Sequence, residues 1–311
     1  QGLCIGNIDG KNDGDKGSLY LDQLNGLPVI NASQDFNKAA DIWLPYASAC
    51  MPYDALATLY FATASRAGQA LCESFTFPFT HSDAPNYNMH HSILNHITPT
   101  DTQFHHQVMP ALANDAYLIG EMHEADNGGR GYLKIYLNPS TVNGELTGTL
   151  YGGASIHYYQ DSYCYIINNS FCIPLAAGTA WAFEYQATNP KITLNLIAFE
   201  LDTQNNFGSG SSVVLNTQFT ATQDGLLHGF VSMQNDGDRS TIKLVNGAGT
   251  QTGQYNGVAS ASQHQYAASD IYVPINTATI PIKNGDFYIV EAQATAGNPE
   301  IQAYFTPATL F

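Results

Sequence analysis

Asp224-Gly-Leu-Leu-His-Gly229, followed by Gly237-Asp-Arg239 and Ile242-Lys243-Leu244, repeats an earlier passage of the same chain, Asp115-Ala-Tyr-Leu-Ile-Gly120, Gly128-Gly-Arg130 and Leu133-Lys134-Ile135. No insertion separates the matched positions. The chain holds only ten basic residues, so the alignment of Arg130 with Arg239 and of Lys134 with Lys243 is not compositional accident. Further on, Phe171-Cys-Ile-Pro174, Gly178, Glu184, Gln186-Ala-Thr188 and Asn189-Pro190 return as Thr279-Ile-Pro281, Gly285, Glu291, Gln293-Ala-Thr295 and Asn298-Pro299. Only Ala296-Gly297 is inserted. A fixed-period duplication sets the unit of folding. Two copies of one domain are expected, at 104–201 and 216–309, joined through the Gly/Ser-rich segment 202–216.

Each copy reads as strands. Short apolar runs at Ala116–Met122 and Leu226–Met233 lead into Gly/Asp/Asn turns and second runs, Tyr132–Leu137 and Thr241–Val245. This is hairpin patterning, and helical periodicity is absent. Units near 100 residues with frequent turn signals indicate antiparallel sandwiches. The fold class expected is mainly β, two tandem antiparallel jelly-roll sandwiches preceded by a mixed N-terminal region.

Residues 1–100 show no third copy on this reading and are assigned to attachment or oligomerisation. Phe36, Ala39, Ala40 and Trp43 have helical spacing with Ser33 as the cap, and Asp54 caps a second helix over Ala55–Leu71. The Thr and aromatic content of Thr58–Thr63 also suits a strand. The polar run 7–17 is similar to a calcium loop, but with Gly14 at the turn position Lys11 and Tyr20 fall where oxygen ligands are needed, so a solvated loop is expected.

A net charge of -16 disfavours nucleic acid and anionic membrane surfaces. No apolar run approaches the roughly 20 residues that span a bilayer. A first residue of Gln, without a signal peptide, fits a processed, exported or virion-matured chain as well as a shift of numbering. Of the five cysteines, Cys164 and Cys172 are either bridged across a hairpin or, like Cys4, Cys50 and Cys72, reduced.

The pattern Asp224-Gly-Leu-Leu-His-Gly-Phe-Val231, then Ile280-Pro-Ile-Lys-Asn-Gly-Asp-Phe-Tyr-Ile-Val290 and Tyr304-Phe-Thr-Pro307, resembles the small jelly rolls at the tips of phage tail and head fibres, themselves similar to tumour-necrosis-factor and complement globular heads. Copy two carries the pattern best. In copy one Gly178-Thr179 replaces Gly285-Asp286. What the resemblance implies is a homotrimer about a shared axis, with a display or adhesion role on a virion surface or outside the cell, in contact with other virion or assembly proteins through the N-terminal region. Function is thereby inherited by analogy alone.

No catalytic motif is present: Gly-x-Ser-x-Gly, His-Glu-x-x-His and a phosphate-cradling glycine loop are all missing. Glu121, His123 and Glu124 are read either as an acid-base cluster or, in preference, as residues alternating between the faces of one strand. Candidate metal ligands are His90, His91, His105 and His106, which three chains around an axis would bring to one ion. A copper monooxygenase arrangement is excluded because copy two lacks a His-x-His. Candidate ligand-binding residues are Tyr151, Tyr158, Tyr159 and Tyr163, where rings beside Asn, Gln and Asp suit sugar stacking or, alternatively, packing on a sister subunit. Asn31-Ala-Ser and Asn168-Asn-Ser fit glycosylation sequons. The readings in play are a trimeric, non-enzymatic virion surface or fibre protein that binds a host glycan, a self-assembling capsid or appendage subunit, and a secreted metal-dependent or glycan-processing enzyme.

Overall fold

The computed structural model describes residues 2–10, 12–23, 30–53, 58–79, 87–99, 102–124, 127–159, 164–187, 192–201, 206–247 and 255–310. These fold into strands, with two single-turn 3-10 helices at Lys38–Ala40 and Ala267–Ser269. The strands fall into three series. The first holds β1 (Gly2–Asp9), β2 (Lys16–Gln23), β3 (Ile30–Asn37), β4 (Ile42–Leu44), β5 (Tyr46–Tyr53), β6 (Leu59–Ala67) and β7 (Leu71–Pro78). The second holds β8 (Tyr87–Ile97), β9 (His105–Met109), β10 (Ala116–Glu124), β11 (Gly129–Val142), β12 (Glu145–Tyr159), β13 (Cys164–Ile166), β14 (Asn168–Leu175), β15 (Trp181–Ala187) and β16 (Ile192–Leu201). The third holds β17 (Ser211–Ser212), β18 (Gln218–Thr220), β19 (Gly225–Ser232), β20 (Arg239–Gly247), β21 (Tyr255–Tyr266), β22 (Ile271–Val273), β23 (Ile275–Ile282), β24 (Phe287–Ala296) and β25 (Glu300–Pro307).

Every pairing is antiparallel, and the same order recurs. The third sandwich stacks β17-β25-β19-β23 on β18-β24-β20-β21-β22, and the second stacks β8-β16-β10-β14 on β9-β15-β11-β12-β13. That is a jelly roll with one short extra strand. The first sandwich has the same arrangement less its two leading strands, β7-β1-β5 on β6-β2-β3-β4. Side chains alternate across each strand, so a buried aliphatic row from each sheet meets between the layers.

Residues 1–100 therefore contain the third copy that the sequence reading missed. Gly2-Leu-Cys-Ile-Gly6 stands over Ala116-Tyr-Leu-Ile-Gly120 and Gly225-Leu-Leu-His-Gly229, and Asp13-Gly14-Asp15-Lys16 stands over Asp236-Gly237-Asp238-Arg239. The two helices expected there are strands. The helical spacing from Phe36 to Trp43 arises because one 3-10 turn joins β3 to β4, capped by Asn37, whose Oδ1 accepts from Ala40 N at 3.2 Å, and not by Ser33. Leu59–Ala67 is β6, where Thr and aromatic residues prevail over the apolar spacing. Residues 54–57 lie outside the described residues.

The three sandwiches close into a ring. Strands β5, β14 and β23 pack on one another around a common line, placing Cys50, Cys172 and Thr279 at equivalent positions; the Thr279 hydroxyl donates to the Cys172 carbonyl at 2.5 Å. Each sandwich also lays its third long strand on the next one's axial strand: β3 on β14, β12 on β23 and β21 on β5. One serine marks each seam. Ser33 Oγ donates to Asn168 Oδ1 at 2.5 Å, Ser155 Oγ accepts from Ile275 N at 2.9 Å, and Ser262 Oγ accepts from Tyr46 N at 2.8 Å. The short strands β4, β13 and β22 contribute Ile42, Leu44, Cys164, Ile166, Ile271 and Val273 to one apolar cluster, each at most 1% exposed.

Two turn aspartates fix the ends of the first and third sandwiches. Asp238 Oδ2 accepts from Gln234 N and Asn235 N, both at 2.8 Å, and its Oδ1 accepts from Asn298 N at 2.8 Å. Asp15 does the same with Asn12 N and Gln69 N at 2.8 and 2.7 Å, so the run 7–17 spends this carboxylate on backbone donors. Gly297 and Gly68 lie against these carboxylates with φ of 68° and 67°, where a methyl group would strike Asp238 Oδ1 or Asp15 Oδ1. Gly297→Ala is expected to cost about 2–4 kcal/mol in urea unfolding, from backbone strain plus the collision. Gly144→Ala, at φ 84° with open space around it, is expected to cost only about 1 kcal/mol. Equal costs would contradict the assignment.

Candidate functional site

The three seams are variations on one set of positions. Asp35 on β3, His157 on β12 and His264 on β21 are equivalent, each opposite the last residue of the neighbouring short strand, and each accepts a backbone N–H from the adjacent sandwich. Tyr165 N donates to Asp35 Oδ2 at 3.0 Å, Tyr272 N to His157 Nδ1 at 3.1 Å and Trp43 N to His264 Nδ1 at 3.4 Å. The cations facing them across the sheet, Lys16, Arg130 and Arg239, each sit over the aromatic ring of that same donor residue, at 4.0, 5.5 and 5.6 Å. Arg130 and Arg239 also reach Asp270 and Asp41 of the neighbouring sandwich at 2.6 and 3.1 Å, while Lys16 pairs with Asp35 of its own sandwich at 3.1 Å. Asp41 and Asp270 hold the left-handed position that ends each 3-10 turn. Cation-π contacts of this kind are worth roughly 0.5–2 kcal/mol and orient the rings.

The seam that joins the third sandwich to the first opens into a groove. Its deeper part, about 350 Å³, is lined by Asp9, Phe36, Trp43, Tyr46, Thr241 and Gln293 among others, and it continues into a hollow of about 400 Å³ lined by Lys243 and Glu291. Phe36 meets Trp43 edge-on at 5.4 Å between centroids, and Trp43 Nε1 donates to Asp41 Oδ1 at 3.1 Å. Lys243 Nζ lies 4.0 Å over Tyr46 and pairs with Asp9 at 3.3 Å. Aromatic walls with paired charges and amide or hydroxyl groups at the rim form a site for a polar ligand with apolar faces.

The sequence candidates scatter. Tyr151 is buried between the second and third sandwiches of the same chain, its ring 4.4 Å from His228 and 5.5 Å from Tyr304. Tyr158 lies against Tyr165 at 5.7 Å, taking in the first-to-second seam the place that Phe36 takes in the groove. Tyr159 stacks beside His157 at 6.5 Å, and Tyr163 lies outside the described residues. His90 and His91 are on β8 and His105 and His106 on β9, the strands at the ends of the two sheets away from β14 and β13. His105 stacks on Tyr185 at 4.9 Å. Among the described residues no three His, Cys, Asp or Glu side chains gather as a metal-ion set.

Glu121 is a buried acceptor for Asn31 and Asn195 side chains at 3.2 and 2.6 Å. Asn31 and Asn168 are buried in strands at the first seam, out of reach of glycosylation. All five cysteines are free thiols, and the Cys164–Cys172 bridge is not formed. Sequence reasoning missed Trp43, Phe36 and Tyr46, which it placed on or beside a helix. The signal was the register of Phe36 with Tyr158 and of Trp43 with Tyr165 and Tyr272, visible only once the third copy is aligned.

No protein-family model matches the chain, and no curated protein matches it. Among solved structures, the crystal structure of the infectious bursal disease virus VP2 subviral particle matches at 9% identity and a TM-score of 0.21, covering 100% of this chain and 65% of that one. So distant a likeness carries no functional argument. No helix among the described residues is long and apolar enough to cross a membrane.

Burial pushes His157 and His264 down to about 4, well below the ordinary value of 6.5. Their Nδ1 atoms must stay unprotonated to accept from Tyr272 and Trp43. The unfolded chain takes up these protons first, so stability present above pH 6.5 is lost as the pH falls toward 4. Asp35 acts in the opposite sense: burial outweighs the nearby Lys16 and raises its carboxyl to about 6, so acidification through pH 6 relieves a cost. The melting temperature is expected to fall between pH 7 and pH 5. In His157→Asn/His264→Asn, where an amide oxygen takes the place of the Nδ1 acceptor, the fall should be smaller, a difference on the order of 1–3 kcal/mol. An unchanged pH profile would contradict this.

Proposed function

We propose that this chain is a non-enzymatic virion-surface display protein, of fibre or capsid-surface type, that folds a three-headed attachment module from a single polypeptide and binds a neutral host oligosaccharide in the groove between its third and first sandwiches. The carrying observation is the cyclic closure. Three jelly rolls, each laying one strand on the next one's axial strand, reproduce inside one chain the association that the fibre-tip and tumour-necrosis-factor resemblance assigns to three subunits.

The rest follows from physics. A ring of β-sandwiches fixed by buried seams is a rigid platform, and rigid platforms place binding residues at loops and seams. The groove presents Trp43, Phe36 and Tyr46 for stacking against a sugar face, with Asp9, Thr241 and Gln293 as hydroxyl partners. The net charge of -16 repels anionic ligands at long range, which favours a neutral glycan over a sialylated one. On this reading one chain supplies the threefold body that the resemblance assigns to a homotrimer.

The test combines mass and binding. Sedimentation should give a single-chain species across the micromolar range. A printed panel of neutral and sialylated oligosaccharides should retain the protein on neutral members. Since Trp181 is fully buried, Trp43 is the fluorophore placed to report the ligand in solution. Gln293→Ala, at an exposed position, is expected to weaken binding about tenfold while leaving the melting temperature unchanged. A stable homotrimer, or no retention on any glycan at millimolar concentration, would defeat the corresponding half of the proposal.

A further inference from the structure

Two residues beyond the seam cations Lys16, Arg130 and Arg239 stand Ser18, Tyr132 and Thr241. Ser18 and Tyr132 are buried, at 2% and 3% exposed, whereas Thr241 lines both hollows of the third-to-first groove. The second-to-third seam shows how this place is filled. The Tyr132 ring lies beside Tyr272, the counterpart of Trp43, at 6.4 Å between centroids, with Lys134 Nζ 4.6 Å from its centre. Its hydroxyl donates to Glu184 Oε1 at 3.0 Å. Burial, with the nearby Glu184 carboxylate, raises the phenol well above its ordinary value, so it remains a donor. Cross-strand register carries these groups into the third sandwich. Tyr132 pairs with Gln186 and Lys134 with Glu184; Thr241 pairs with Gln293 and Lys243 with Glu291. The acceptor, the cation and the aromatic neighbour of the Tyr132 seat are therefore repeated at the groove, while the ring itself is cut back to a threonine. Lys243 reaches across the seam to Asp9 at 3.3 Å and over the Tyr46 ring at 4.0 Å, which leaves the Glu291 carboxylate for an incoming donor.

We propose that a pyranose ring of the bound oligosaccharide occupies the place vacated by this phenol, one ring hydroxyl donating to Glu291 as the Tyr132 hydroxyl donates to Glu184, with one ring face toward Trp43. This rests on the oligosaccharide reading of the groove and adds to it the anchoring group and its acceptor. A pyranose meets both demands of the seat: the carboxylate takes a hydroxyl in a charge-assisted hydrogen bond, and the indole takes the C–H face of the ring. The hollows of about 350 and 400 Å³ that share Thr241 exceed the volume of a single six-membered ring, so neighbouring sugar units continue along the groove. Thr241 keeps the seat open, and Glu291 fixes the orientation of the ring within it.

The test refills the seat. Thr241→Tyr restores the residue of the second-to-third seam, and Glu291→Ala removes the acceptor at an exposed position; each is compared with the unaltered full chain. The probes are the methyl pyranosides of glucose, galactose and mannose at tens of millimolar, and 4-methylphenol, the tyrosine side-chain analogue, titrated by Trp43 fluorescence and saturation-transfer NMR. At least one pyranoside and 4-methylphenol are expected to bind and to compete with each other. Thr241→Tyr should melt no lower than the unaltered chain and lose both probes. Glu291→Ala should weaken both about tenfold, the worth of a hydrogen bond to a charged acceptor, and Glu291→Gln, which keeps an oxygen acceptor, should lose less. Pyranoside binding left unchanged by Thr241→Tyr and Glu291→Ala would overturn the seat while the oligosaccharide reading stands. Binding of 4-methylphenol without any pyranoside would overturn the pyranose occupant and count against that reading too, and binding of neither probe would overturn the proposal outright. Where Thr241→Tyr does not fold, Glu291→Ala decides.

Discussion

Six aliphatic or thiol side chains from three short strands, Ile42 and Leu44, Cys164 and Ile166, Ile271 and Val273, form the contact on which the rest depends. None of them belongs to the interior of a sandwich. Each strand is too short to be stable alone, and its two inward residues leave water only when all three sandwiches are present. At roughly 1.5–3 kcal/mol for each fully buried aliphatic side chain, the cluster is an ample reward for ring closure. The seam serines, the Asp35/His157/His264 acceptors and the cation-ring stacks then fix the angle between neighbours.

The ring explains why buried polar groups are so frequent near the axis. Three sheets meeting edge to face leave backbone donors at the start of each axial strand, and Ser33, Ser155 and Ser262 satisfy them or their neighbours from the adjacent sandwich. A buried donor left unpaired costs about 1–3 kcal/mol, so these small side chains specify the geometry more than they add to its stability. The sequence variation among seams is where function has room. Among the described residues, the third-to-first seam combines a tryptophan, a phenylalanine and a tyrosine with an open mouth.

The β-sandwich class was legible because strands announce themselves locally, through turn glycines and alternating aliphatics. The third copy was equally in register: Gly2, Gly6, Gly14, Lys16 and Pro52 stand where Ala116, Gly120, Gly128, Arg130 and Pro174 stand. It was hidden by two local resemblances, a calcium-like run at 7–17 and a helix-like spacing at 36–43, and by the lack of the two strands that open the other copies. The groove was illegible for a different reason. Trp43 acquires its meaning from Arg239 and His264, about two hundred residues away, and that proximity is a product of ring closure. Tyr158 stands in the corresponding place of another seam.

Closure of the ring by one chain is tested most directly by zero-length carbodiimide cross-linking of Lys243 to Asp9, which lie 3.3 Å apart across the third-to-first seam. Labelled and unlabelled chains are mixed, cross-linked and mapped by mass spectrometry. The predicted result is a Lys243–Asp9 cross-link within single chains, with no mixed-isotope product. A cross-link found only between chains, or none while both residues remain reactive, would contradict the single-chain ring.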